Sequence, residues 1–481
     1  MHHYDVVVLG AGFSGVCAGI KLKQAGIENF HIFEKGEDVG GTWRENTYPG
    51  VACDVPSHLY SFSFALNPNW SRHYAPGHEI KAYIERCVDD FGIREHLTLG
   101  AAIRSVSWCD NHWLVEPEGT QPFTANSVIA ALGGLHSPHV PQIPGTAKFK
   151  GPMFHTAEWQ HKVMLGGKRV GVIGTGATAV QVVPELAKEV SELFVFQRSP
   201  VWVGYKKDPE YTPEEKARFE NDPAALKAHR QELWETMESM SLQLHTPGTR
   251  VNQLAAERAK ENIERSVADA AIARLLTPDH NFACKRPTIS SQYYQAFDRD
   301  NVTLVDGGVD EFTESAAIAG GRAYELDVIV LATGFRAFNI TNQIDVAGLD
   351  ALDLGQAWRE QVNSYKSVMV HGFPNFFLMM GPNSTGLQSA IEGIERQASY
   401  AVNAIQLLKE KEILALHPRK EAVDAFTKNV QARFKLTTHS KGCSSWWNES
   451  GINHSLWPAS TPAYDELLRE VVLEDFEILR A

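Results

Sequence analysis

The sequence predicts an α/β fold of two doubly wound parallel sheets, the second inserted in the first, with a helical insertion. Residues 5–35 pass through a β-branched run "DVVVLG", a glycine-rich helical stretch "AGFSGVCAGIKLKQAG" and a second strand "NFHIFEK". Residues 168–199 repeat that plan in "KRVGVIGTGATAVQVVPELAKEVSELFVFQRS". Continuous β-branched runs suit parallel strands buried on both faces. Two further apolar runs, "SVIAALGG" (127–134) and "DVIVLATGF" (327–335), end in small residues, and each is able to rejoin one of the two sheets.

Between about 210 and 275 the composition turns charged and Ala-rich, as in "TPEEKARFENDPAALKAHRQELWETM". This predicts helices that either cover one domain edge or cap a substrate pocket. The expected division is 1–145 with 386–481 as one domain and 146–210 with 325–385 as the other. Residues 211–324 are expected to be a mostly helical insertion in the second. A chain of 481 residues has room for such a plan, at roughly 100 to 200 residues per domain.

A hydrophobic fraction of 43% with 21% charged residues is that of an ordinary globular protein. The net charge of -13 argues against a nucleic-acid surface, which needs clustered Lys and Arg. Cys17, Cys53, Cys87, Cys109, Cys284 and Cys443 include no C-x-x-C pair, so neither a zinc site nor a redox dithiol is expected. Most of them read as reduced packing residues of a cytoplasmic protein. The apolar N-terminus lacks a basic n-region, so it is not read as a signal peptide, and no run approaches the ~18 to 20 apolar residues of a membrane helix. The histidines, His136 and His139 included, show no ligand spacing, and no metal is expected.

Gly10, Gly12 and Gly15 form G-x-G-x-x-G between a strand and a helix. The first glycine permits the turn, the second lets backbone approach a pyrophosphate, and the third allows close helix packing. Glu34 ends the next strand, where a carboxylate can accept from an adenosine ribose. Gly174, Gly176 and Ala179 make a second cradle, whose following strand ends in Gln197, Arg198 and Ser199. A cation and a hydroxyl there favour a 2′-phosphate, hence NADP over NAD. Both domains are therefore read as Rossmann-like and dinucleotide-binding. Two such sites imply hydride transfer from nicotinamide to a flavin, with dioxygen as the leading final acceptor and a quinone still open.

On these residues the chain resembles the class B flavoprotein monooxygenases, and within them the type I Baeyer-Villiger monooxygenases. "FKGPMFHTAEW" is similar to that family's fingerprint F-x-G-x-x-x-H-x-x-x-W, through Phe149, Gly151, His155 and Trp159. Gln160 departs from the usual Pro or Asp. "GGTWRENTYPGVACD" resembles a second family motif, with Gly40, Gly41, Trp43, Tyr48, Pro49, Gly50 and Asp54 in place. "CKRPTISSQYY" resembles the segment carrying the active-site Arg, through Lys285, Arg286 and Pro287.

The resemblance implies FAD and NADPH as cofactors, with a small-molecule ketone and dioxygen as substrates. Reduced flavin then captures dioxygen as a C4a-peroxide that adds to the ketone, giving an ester or lactone. Arg286 is the implied catalytic cation and Asp54 its orienting carboxylate, because Arg keeps its charge at neutral pH. Cofactor contacts are expected at Gly10, Gly12, Phe13, Gly15, Glu34, Lys35, Gly41, Thr42, Trp43, Asp54, Tyr60, Ile103, Gly174, Thr175, Gly176, Ala177, Thr178, Ala179, Gln181, Arg198 and Ser199. Lys285, Arg286, Thr333, Leu387, Gln388 and Trp446 complete that set. Phe149, Gly151, His155 and Trp159 are expected to act at a hinge between domains, with His155 outside the chemistry. Oxidation of amine or sulfide heteroatoms is the competing activity, and an NADP-binding redox sensor belongs to a different class. A monomer or small homo-oligomer, with no nucleic-acid or membrane partner, is expected.

Overall fold

The computed structural model describes residues 1–336, 340–385, 388–440, 442–443 and 451–480. The first unit starts with β1 (His3–Leu9), α1 (Phe13–Gln24) and β2 (Phe30–Phe33), with β1 and β2 paired in parallel. In β1, Val6 and Val8 join the core cluster that contains α1, whereas Val7 and Leu9 join a different cluster on the opposite face. Burial on both faces is why this strand reads as an unbroken apolar run. A long excursion carries α2 (Thr42–Glu45) and α3 (Gly77–Asp90) before β3 (Leu97–Thr98) extends the sheet. The hairpin β4 (Ile103–Cys109) and β5 (His112–Pro117) turns at Asp110 and Asn111, both at positive φ, and β6 (Phe123–Ala130) returns parallel to β1.

The second unit holds β7 (Met153–His155), β8 (Arg169–Ile173), α4 (Ala177–Leu186) and β9 (Glu192–Gln197). The chain then makes β10 (Val203–Gly204) and four helices: α5 (Pro213–Asn221), α6 (Pro223–Leu244), α7 (Arg250–Ser266) and α8 (Ala270–Leu276). The first two start on strong signals. Thr212 and Glu215 form a capping box, Asp222 caps the N–H groups of Ala224 and Ala225, and each is followed by a proline at the first helical position.

The helices do not cover one edge. Leu233, Trp234 and Met237 of α6 pack on the first unit's core, while Ala259 and Ile263 of α7 are buried in the second's. The expected helical insertion to residue 324 also ends early, at Leu276. After β11 (Thr288–Ile289), β12 (Val302–Asp306) pairs with β9 as the outer strand of the second sheet. A three-stranded meander follows, β13 (Glu311–Phe312), β14 (Ala316–Ala319) and β15 (Arg322–Glu325), and β16 (Val328–Leu331) completes the parallel order β12-β9-β8-β16-β7.

The return to the first sheet comes earlier than the predicted residue 386. β17 (Asp345–Ala347) pairs with β4, and after α9 (Leu354–Ala357), β18 (Phe376–Leu378) pairs with β6. An apolar run such as "NFFLMM" announces a buried strand but not its partner, because periodicity is local and pairing is not. α10 (Ala390–Glu410) then buries Ile391, Ile394 and Ala398 in the cluster that contains α1. No described helix is long and apolar enough to cross a membrane.

The two crossings between units lie side by side. Arg336 N–H donates to Ser137 O (2.9 Å), His139 N–H to Gly334 O (2.8 Å), and Thr333 Oγ1 to His139 O (2.5 Å). The outgoing and returning strands thus form one clasp.

Candidate active site

Each glycine cradle has the form that a phosphate requires. α1 starts at Gly12 with no side-chain cap, which leaves its first N–H groups open, and the helix dipole favours an anion there. A Cβ on Gly15 would lie 1.8 Å from Gly10 O, and one on Gly10 2.6 Å from Ala131 O, so neither position tolerates a side chain. Gly41 faces Gly12 across the same loop: a Cβ on it would lie 3.1 Å from Gly12 Cα, so bare backbone meets bare backbone. Phe13 and Trp43 each set their rings edge-on to Tyr60, and Trp43 Nε1 donates to the Tyr60 hydroxyl (3.3 Å).

Glu34 is nearly saturated by the protein. Oε2 accepts from Ala11 N–H (2.8 Å), while Oε1 accepts from Gly36 N–H and Arg44 Nη1, both at 2.8 Å. A carboxylate offers about four acceptor positions, so one remains for a ribose hydroxyl. Arg44, which the sequence reading passed over, also bonds Glu45, and Glu45 bonds His136, whose other nitrogen lies 2.5 Å from Lys35 Nζ. Lys35 is thereby tied to a charge chain lining the first cradle. Thr42 opens α2, and Ile103 opens β4 almost fully buried.

The second cradle repeats the geometry. Gly174 has φ of +114°, and a Cβ on it would lie 2.4 Å from Ala332 O, next to Thr333. α4 starts at Gly176 without a side-chain cap, carrying Ala177, Thr178 and the buried Ala179. Thr175 Oγ1 donates to Ser199 O (2.8 Å), and Lys285 Nζ donates to Ser199 Oγ (2.6 Å). Burial, and then the charge of Arg198, pull the Lys285 pKa below its ordinary value. Two crowded cations beside a hydroxyl fit a phosphate, which would relieve their repulsion.

Gln181 was expected to touch a cofactor. Instead both ends of its amide join the units: Tyr48 OH donates to Oε1 (2.8 Å) and Nε2 donates to Ala52 O (2.8 Å). Burial raises the Tyr48 phenol to about 12, so it stays a donor. Gly50 is also required, since a Cβ there would lie 2.7 Å from Gln181 O. This docking fixes the loop that ends in Asp54.

Across it stands Arg286, whose Nη2 donates to Asp54 Oδ1 at 2.8 Å. Asp54 raises the pKa of the guanidinium, with burial opposing. The Arg286 side chain is still 44% exposed, so it keeps a face toward the cleft after pairing. The sequence places these residues 232 positions apart, and only the fold unites them.

His155 is buried in the second sheet. Nδ1 accepts from Ala157 N–H (3.1 Å), so a neutral ring carries its proton on Nε2, which is buried with no hydrogen-bond partner among the described residues. Burial lowers its pKa, a contact with Gly334 opposing, and the ring meets Phe335 edge-on at 5.6 Å. A neutral imidazole pressed on the interdomain clasp is no proton acceptor for the cleft. Trp159 packs edge-on against Phe154 (5.2 Å), and Gly151 is fixed because a Cβ would lie 2.4 Å from Asp327 O. Phe149 packs beside Phe312 in the core under the meander.

Gln388 donates to Glu238 of α6 (3.0 Å) and to Trp234 O (3.3 Å), while its buried Oε1 has no hydrogen-bond partner among the described residues. Leu387 and Trp446 lie outside the described residues. His371, His417 and Glu477 set one ligand atom each within 4.8 Å of one another. Gly372 N–H donates to His417 Nδ1 (3.2 Å), and His417 Nε2 lies 3.7 Å from Glu477 Oε2.

The expectation that most of the thiols are reduced holds for four of the six, and one pair departs from it. Cys17, Cys53, Cys87 and Cys109 are free, but Cys284 and Cys443, 159 residues apart, form a disulfide. No spacing motif announces it, because only the folded chain brings the pair together. Its one sequence signal was position, since Cys284 directly precedes Lys285 and Arg286.

Two glycine cradles, each at an uncapped helix start, fit a flavin dinucleotide and a nicotinamide dinucleotide, the pair that an oxidoreductase uses. The sequence profile described as pyridine nucleotide-disulphide oxidoreductase matches residues 7–257. A Baeyer-Villiger monooxygenase of Streptomyces coelicolor is 38% identical over 489 aligned residues, 99% of this chain and 93% of that protein. Another from Pseudomonas aeruginosa is 37% identical, over 97% of this chain and 90% of that one. The closed crystal structure of cyclohexanone monooxygenase superposes with a TM-score of 0.89 at 30% identity, covering 100% of both chains. OTEMO in complex with FAD and NADP gives 0.90 at 29% identity, covering 99% of both. The chain belongs to the pyridine nucleotide-disulphide oxidoreductase family and, within it, to the flavin-dependent Baeyer-Villiger monooxygenases.

Proposed function

We propose that this chain converts a ketone to an ester or lactone, consuming one NADPH and one dioxygen and releasing water and NADP. Bound FAD supplies the chemistry that takes a hydride from NADPH and activates dioxygen. The observation that supports the reading most directly is the Arg286–Asp54 pair, one partner from each unit. Asp54 holds the guanidinium by one nitrogen and offsets its charge, leaving other N–H groups directed at the cleft. A fixed cation there stabilises the negative charge that develops when an oxygen nucleophile adds to a ketone carbonyl. It cannot lose its proton at neutral pH, so it does not feed protons to that nucleophile.

Lys285, Ser199 and Arg198 would hold the 2′-phosphate of NADPH, and the cradle around Gly12 the pyrophosphate of FAD. Tyr48 and Gln181 keep the two sites in register. His155 buttresses the clasp through Phe335 and Gly334, a positioning role. A panel of cyclic, linear and aryl ketones, incubated with NADPH and ¹⁸O-labelled dioxygen, tests the assignment. One labelled oxygen in an ester is the expected result. Peroxide alone from every ketone, or sulfoxide formation that is indifferent to Arg286→Ala, would sink it.

A further inference from the structure

Lys285 and Arg286 are neighbours in sequence, yet they serve opposite walls of the cleft. Lys285 reaches Ser199 in the second unit, and Arg286 reaches Asp54 in the first. Both functions therefore depend on where one short turn of backbone sits. Ala283, in that turn, takes φ of 63°, a left-handed conformation that a residue with a Cβ rarely adopts. Surrounding structure must hold such a turn in place.

The C-terminal region supplies that hold. Thr438 Oγ1 donates to Ala283 O (3.1 Å), and His439 Nδ1 lies 3.2 Å from Cys284 O. Thr438 N–H in turn donates to His245 O (2.8 Å) at the end of α6, and the His245 and His439 rings stack at 4.9 Å. The covalent member of the set is the Cys284–Cys443 disulfide, with its Cα atoms 6.1 Å apart. Cys284 is fully buried, whereas Cys443 is half-buried.

We propose that the Cys284–Cys443 disulfide is a redox-dependent brace that positions Lys285 and Arg286 for NADPH binding and oxygenation. Oxidised, it anchors the turn to the C-terminal region. Reduced, the turn keeps only its hydrogen bonds, and both side chains lose precision together. The exchange balances with a dithiol as the reductant. Its thiolate attacks the more accessible Cys443 sulfur, the S–S bond breaks, and Cys284 leaves as a thiolate that takes up a proton. The second thiol of the reductant then displaces Cys443, giving two cysteine thiols and a cyclic disulfide. Oxidised glutathione reverses the process.

The proposal rests on the NADPH-using reading for two of its readouts, and the experiment separates the brace from that reading. Denatured without reductant, the holoenzyme should alkylate at four of its six cysteines, and at all six after dithiothreitol. The NADPH concentration giving half-maximal anaerobic flavin reduction, a step that needs no ketone, should rise about 10-fold on reduction, since loss of placement by an ångström is costly. The peroxide released per NADPH should rise with it, and both should recover with oxidised glutathione. Cys443→Ser should start in the reduced behaviour and ignore dithiothreitol. If that variant does not fold, the wild-type titration with and without reductant decides alone.

Six alkylated cysteines without reductant would show that the brace does not form. Four, with unchanged NADPH dependence after reduction, would show a cross-link that positions nothing. Normal thiol dependence with no ester from any ketone would instead refute the proposed reaction and leave the brace standing.

Discussion

Lys285 carries the clearest single-residue prediction. Its ammonium donates to Ser199 Oγ, and in the proposed reading it would also pair with the 2′-phosphate of NADPH, a charge-assisted bond of about 2 kcal/mol. Lys285→Ala should therefore raise the KM for NADPH by roughly 10- to 100-fold and leave NADH nearly unaffected. The pH dependence has a definite sign. Burial and Arg198 lower the pKa of the free enzyme's Lys285, so it loses its charge at a lower pH than an ordinary lysine. The NADPH KM should rise as pH passes through that lowered value, and Lys285→Arg should remove the rise. A KM profile that climbs only in the ordinary lysine range, identically in both proteins, would contradict this. Arg286→Ala should abolish ester formation while NADPH still reduces the flavin, because hydride transfer does not use the guanidinium. Rapid-mixing reduction kinetics beside product analysis checks that split.

The residues legible in the sequence were those whose chemistry is written locally. Glycines at phosphate cradles and the strand-end Arg198 and Ser199 follow from short patterns, whereas the Lys285–Arg286 pair came only from the resemblance of its segment to a family motif. The bonds of Gln181 to Tyr48 and Ala52, some 130 residues away, were not legible, because no local pattern announces a partner so distant in the chain. The disulfide was invisible for the same reason. At the scale of elements, the helical character of residues 210–275 was legible from their charged, Ala-rich composition, but the surface that α6 covers was not.

That surface matters through Glu238. Its carboxylate accepts from Gln388 Nε2 (3.0 Å), Thr461 N–H (3.1 Å) and Thr461 Oγ1 (2.7 Å). One insertion helix thus ties the segment leading into α10 to the start of the helix at Thr461–Leu467. Glu238→Ala would leave a buried glutamine amide short of an acceptor, at a cost of about 1 to 3 kcal/mol. Weaker FAD retention on dilution, measured by the recovery of free-flavin fluorescence, is the expected result. Glu238→Gln should restore much of it, since Gln388 and Thr461 need only an acceptor oxygen. Equal flavin release from wild type and Glu238→Ala would show that α6 merely covers this surface.

At the scale of the whole molecule, two sheets must hold two dinucleotides at one cleft while the chain crosses between them twice. The sequence announced both sheets, but it placed the return too late, because β17 is a short segment with only Val346 buried and β18 looks like a generic buried strand until its partner is known. The crossings are bonded to each other from Ser137 to His139 and from Thr333 to Arg336, and His155 sits against Phe335 of that clasp. Thr333 lies beside the second cradle, since Gly174 nearly touches Ala332. A loosened clasp would shift the NADP site relative to the flavin site without disturbing either one internally. His155→Ala should therefore leave the FAD content near that of wild type but raise the peroxide formed per NADPH consumed. The distinguishing measurement is the ratio of ester to NADPH, taken on holoenzyme matched for flavin content. Loss of FAD with normal coupling in the remaining holoenzyme would instead place His155 in the service of the flavin domain alone.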